Sequence, residues 1–70
     1  MHTDIRKLKG RMAELGKTQG DLAQHLNLTA GTVSRKLMDG GLEFSVDQVH
    51  RIADWLGLTS TDIARIFFAP

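Results

Sequence analysis

Apolar residues recur along this chain at spacings of three and four, in blocks separated by short polar breaks, which is the period of helices packed on one core. Ile5, Leu8, Met12 and Leu15 form the first stripe. Thr3 is expected to cap that helix, which runs to about Leu15 and stops at Gly16. Thr18, with Asp21 three residues on, caps a second helix to about Leu26, with Leu22, Ala23 and Leu26 inward. Ala23 is small enough to let another helix cross closely over it. Asn27 tolerates a left-handed backbone, so it ends the second helix while Leu28 turns in to plug the corner. Thr29 then caps a third helix reaching Met38, with Val33 and Leu37 on its inner face. After the flexible turn Asp39-Gly40-Gly41, Ser45 and Gln48 make a capping box, and Phe44 and Val49 stand at the spacing of a hydrophobic staple. That helix continues to Leu56, with Val46, Val49, Ile52, Ala53 and Leu56 inward and Gly57 as its stop. Thr59 or Ser60 caps a last helix carrying Ile63, Ala64, Ile66 and Phe67, while Met1 and His2 are expected to fray.

Seventy residues make room for one small domain, 1–70, and for no attached second module. The absence of Cys removes disulfides, thiolate zinc sites and thiol nucleophiles, so the fold must stand on helix packing or on an oligomer interface. No apolar run approaches the ~20 residues that span a bilayer, and Met1 to Leu8 has no signal-peptide core, so no membrane partner is expected.

Net charge is only +1, but it is unevenly placed. Residues 1–38 hold seven Lys or Arg against three acids, and residues 39–70 hold two against five. A basic face from the first half and an acidic side from the second follow. The third helix sharpens this. Its outer face carries Ala30, Gly31, Thr32, Ser34, Arg35 and Lys36, small at the start and basic toward the end, and no acid falls between Leu22 and Met38. Such a face lies close to a polyanion without steric or Coulombic penalty, and double-stranded DNA is the foremost candidate. Arg6, Lys7, Lys9 and Arg11 decorate the first helix as a solvated face. Arg11 and Lys17, near the start of the second helix, are the preferred phosphate contacts from this region.

The run Thr18-Gln19, Leu22-Ala23, Leu28 and Thr32-Val33-Ser34-Arg35 resembles the helix-turn-helix of the phage-repressor and Cro (XRE-type) class. Lys36-Leu37-Met38-Asp39-Gly40, Phe44 and Phe67-Phe68 extend the likeness to a small phage-type subgroup, over roughly Leu8 to Phe68. The resemblance implies an all-α, compact five-helix lambda-repressor-like domain, with the helix-turn-helix core at 18–38. It implies a repressor that occupies an operator against polymerase, in the cytoplasm of a bacterial cell or phage-infected host. Base reading would fall to Ala30, Gly31, Thr32, Ser34 and Arg35, and phosphate binding to Lys17, Thr18, Gln19, Lys36 and Arg11. One departure stands out: the glutamines that many relatives place at the head of this helix are absent. One such domain contacts a single half-site, so a pseudo-palindromic operator and a homodimer at least on DNA are implied.

Other chemistry finds little support. The eight acids are scattered at helix starts and on polar faces, His2, His25 and His50 lack ligand spacing, and Gly40-Gly41 follows no strand. No enzyme, metal site, cofactor or small-molecule ligand is expected. The rival class is a protein-interaction module on the same scaffold, an antirepressor or antitoxin-like partner. It would use Trp55, Ile66 and Phe68, which are also the candidates for self-association: Trp55 lies off the apolar stripe, and Ile66 and Phe68 either close the core or leave an apolar patch.

Overall fold

The computed structural model describes residues 2–38, 41 and 43–70. Five helices follow in order: α1 (Ile5–Glu14), α2 (Gln19–Leu26), α3 (Ala30–Lys36), α4 (Val46–Leu56) and α5 (Ser60–Phe67). Their ends are set locally. Thr18, Ser45 and Thr59 each accept the N–H of the residue three on, and Asp21, Gln48 and Asp62 reach back to the cap's own N–H, giving three complete capping boxes. Asn27 (φ 56°) and Gly57 (φ 63°) close α2 and α4 in the left-handed region, and the next residues, Leu28 and Leu58, donate to the carbonyls of Ala23 and Ala53 at 2.9 Å. Gly16 (φ 68°) ends α1 the same way, with Lys17 donating to Met12 O at 2.8 Å.

These reversals turn the apolar stripes onto one core. Leu8, Leu22, Val33 and Ile52 are wholly buried and meet Met12, Leu26, Leu37, Leu56 and Phe67. Burial of each large aliphatic side chain contributes about 1.5–3 kcal/mol. α2 packs on α3 and α4, while α5 packs on α1 and α4. Leu28 and Phe44 are partly buried against the core, at the corner and ahead of α4.

Several expectations are corrected. Asp4, not Thr3, caps α1: its carboxylate accepts the Lys7 N–H at 3.1 Å, and its own N–H donates to the Ile66 carbonyl, which fixes the chain entry against α5. His2 does not fray. It pairs with Ala69 in an antiparallel bridge, with N–H···O distances of 2.9 and 3.0 Å. Leu15 is 43% exposed because α1 has already ended at Glu14 and Gly16 turns the chain away. Val46 is 74% exposed: side chains tilt toward the helix N-terminus, so the first residue of α4 projects past the packed region. α3 ends at Lys36, with Leu37 as C-cap, and Met38 lies outside it. The turn Asp39-Gly40-Gly41 falls mostly outside the described residues.

Candidate nucleic-acid interface

The two helices of the corner present their starts to solvent for different reasons. In α2 the Thr18 hydroxyl oxygen accepts the Asp21 N–H at 3.1 Å, and the Asp21 carboxylate accepts the Thr18 N–H at 2.8 Å. The Thr18 N–H on the carboxylate, then the Thr18 side chain and the nearby Lys17 charge, hold the Asp21 carboxyl below its ordinary value of 3.8. The box satisfies two of the orphan donors, and the amides of Gln19 and Gly20, at the exposed first positions, have no partner among the described residues. In α3 the Thr29 hydroxyl accepts the Thr32 N–H at 3.2 Å and donates to the Thr32 hydroxyl at 2.9 Å. No acid enters this first turn.

Val33 and Leu37 anchor α3 to the core, and the positions between them point outward. Ala30, Gly31, Ser34 and Arg35 are exposed and Thr32 is half-buried. A side chain at Gly31 would meet no protein atom, so the core does not require the glycine, which as an internal helix residue costs about 1 kcal/mol relative to Ala. Arg35 makes neither an ion pair nor a side-chain hydrogen bond with any other described residue.

The expected phosphate-binding cations divide. Lys17 stands just before the Thr18 cap, with its ammonium 5.1 Å from the centroid of the Trp55 ring. Lys36 donates to the Glu43 carbonyl at 2.7 Å and lies 5.5 Å from the centroid of the Phe44 ring, so it ties α3 to the chain that leads into α4. Gly41 packs against the same helix end: a Cβ there would run into the Arg35 carbonyl oxygen and stand 3.0 Å from Met38 O. Arg11 points elsewhere. It pairs with Glu14 at 3.1 Å in a groove lined also by Leu58, Asp62 and Arg65, to which no residue of α2 or α3 contributes. Lys17, Thr18 and Gln19 thus stand at the start of α2, the small residues and Arg35 on the exposed side of α3, and Arg11 in the groove between α1 and α5.

The apolar candidates divide too. Ile66 is 5% exposed in the core. Trp55 is half-buried, with His25 stacked on it at a centroid distance of 5.0 Å and an interplanar angle of 10°. Phe68, 48% exposed, is the most open of the three, at a groove of about 250 Å³ shared with Phe44, Val46, Val49, His50 and Phe67, while Trp55 lines a separate groove with Lys17 and His25. Three roles escape the sequence reading: His25 under Trp55, the Lys36 tether and the close approach at Gly41. None of the three carried a local signal in the sequence, unlike the Thr29 cap of α3.

Among the described residues no group of His, Asp or Glu is placed to hold a metal ion, and no helix is long and apolar enough to cross a membrane. No curated protein and no solved structure matches the chain. Residues 7–68 match the Cro/C1-type helix-turn-helix DNA-binding domain, and the chain, an all-α fold, belongs to that family of DNA-binding regulators.

Proposed function

We propose that this protein is a repressor of phage or prophage type that reads a pseudo-palindromic operator through the major groove, as a homodimer, in the cytoplasm of a bacterial or phage-infected cell. The observation that carries the reading is α3 itself: an outer face of small residues ending in Arg35, uncommitted to any other described residue, on a helix held by Val33 and Leu37. The bare space above Gly31 supports close approach to a base edge. Arg35 pairs with guanine, Thr32 and Ser34 supply hydroxyls, and Ala30 and Gly31 supply closeness. Thr18, Gln19 and Lys17 position the phosphate backbone at the start of α2. Lys36 acts on the shape of α3 more than on phosphate, and Arg11 is withdrawn from the contact set. The single domain measures 28 Å in its longest extent, less than the ~34 Å between half-sites on one face of DNA, which supports two copies per operator. Phe68, with Val46 beside it on the open groove, is the favoured self-association contact; Ile66 is buried and Trp55 half-buried.

Selection from a random duplex pool, followed by titration of Arg35→Ala, tests this. A two-fold symmetric motif is expected, and Arg35→Ala should forfeit about 1–3 kcal/mol of discrimination on it while leaving random duplex nearly unchanged. Equal losses on both would defeat the assignment. The same exposed Phe68 and Val46 favour a second reading, a protein-interaction module of antirepressor or antitoxin type. Its binding would be nearly indifferent to salt, whereas phosphate contacts give a log–log slope of about −0.9 each.

A further inference from the structure

The side chains of Lys17, Trp55 and His25 form a column that joins three parts of the fold. At its base, His25 Nε2 donates to the Arg51 carbonyl of α4 at 3.1 Å; a carbonyl only accepts, so this nitrogen carries the proton. The His25 ring then lies nearly parallel to Trp55, 5.0 Å between centroids. The Lys17 ammonium stands over the same Trp55 ring, 5.1 Å from its centroid, within reach of the ring's negative face. Trp55 is half-buried and joins the core edge, so its ring is held by packing and by the stacked His25 ring. Lys17 is the last residue before the Thr18 cap, where the exposed amides of Gln19 and Gly20 begin α2. A free lysine there would sample many rotamers, and an aromatic platform narrows them.

We infer that Trp55 is a positioning residue for DNA: held by His25, its ring keeps the Lys17 ammonium beside the start of α2, ready for a phosphate. The inference rests on the DNA-reading assignment above and adds a residue of α4 to it. Asp21, whose carboxylate is occupied by Thr18 N–H, faces the same ammonium and shares its charge without capturing it in an ion pair. The benefit is the rotamer freedom already lost before binding, on the order of 2- to 10-fold in affinity for one ordered side chain.

The test is a double-mutant cycle with a random-sequence duplex of about two helical turns, using Trp55→Leu, Lys17→Gln and both together, with urea curves confirming that each is folded. Trp55→Leu should weaken binding about 2- to 10-fold in the native background and not at all in the Lys17→Gln background. Trp55→Phe, which keeps an aromatic face, should recover most of the loss. If Trp55→Leu does not fold, Trp55→Phe and the emission of Trp55 serve instead. Duplex should change that emission in the native chain and leave it unaltered in Lys17→Gln. Equal losses from Trp55→Leu in both backgrounds, or an emission change independent of Lys17, would overturn the positioning role alone. A native chain that binds no duplex at any salt would remove the DNA reading and this inference together.

Discussion

Lys36 offers the sharpest separation between what the charge pattern implies and what the fold does with it. Lys36→Met removes the ammonium and keeps an unbranched side chain of similar length against Phe44. The change deletes the 2.7 Å hydrogen bond to the Glu43 carbonyl and the cation over the Phe44 ring. A hydrogen bond to a charged group contributes about 1.5–3 kcal/mol, but this one is open to solvent and the freed carbonyl can bind water, so about 1 kcal/mol is retained. The cation–π contact adds about 0.5–1 kcal/mol at an exposed site. The sum, about 1.5–2 kcal/mol, corresponds to a fall in Tm of about 6–16 °C for a domain of this size. In urea the midpoint should drop by roughly 1.5–2 M at an unchanged slope of about 1 kcal/mol/M. The companion assay is affinity for random duplex against salt, whose slope should stay within a few tenths of the native value, because the ammonium is engaged within the protein. An unshifted urea midpoint with a slope reduced by about 0.9 would refute the reasoning and return Lys36 to the phosphate contacts.

Two further expectations concern the frame of the corner. The Thr18 and Thr59 caps hold the Asp21 and Asp62 carboxyls below 3.8, chiefly through the caps' backbone N–H groups; a lowered folded pKa means stabilisation that is complete above that value and lost as pH falls through the folded pKa. Stability is therefore expected to decline below about pH 4, and Asp21→Asn with Asp62→Asn should flatten the plot of Tm against pH there; an unaltered plot would count against the two caps. Gly41→Ala places a Cβ against the Arg35 carbonyl and should destabilise by about 1–3 kcal/mol in urea, since the clash is with backbone that cannot rotate away; a loss under about 0.5 kcal/mol would show that the chain after α3 yields freely.

Most helix starts and stops were legible in the sequence because each is decided within a few residues; the start of α1, capped by Asp4 and not Thr3, and the end of α3, at Lys36 and not Met38, were not. Thr18 with Asp21, Ser45 with Gln48, Asn27 and Gly57 need no knowledge of the rest of the chain. The inward stripes of α2 and α3 were legible for the same reason. What periodicity does not supply is where the core stops along a helix, which is why Leu15 and Val46 share a stripe with buried residues yet stand in solvent. Cations were the hardest to place. A lysine or arginine side chain is long enough to choose among neighbours, and the neighbours of Lys17, Lys36 and Arg11 (Trp55, the Glu43 carbonyl and the α5 groove) come from helices distant in sequence or from backbone with no signature. The outer face of α3 could be read because it is defined by what is missing: no acid and no bulk.

The pairing of His2 with Ala69 turns nearly the whole chain into a ring. Closing so long a loop carries an entropic cost of about 4 kcal/mol beyond a constant, by the logarithmic dependence on length. Its two hydrogen bonds together return about 2 kcal/mol. The clasp therefore does not fasten the ring; the packing of α1 on α5 brings the strands of the clasp together, and the bond pair forms once that is done. Because backbone leaves His2 and Ala69 side by side, a covalent join between them would span almost no distance, and the corner of α2 and α3 would be left as it is.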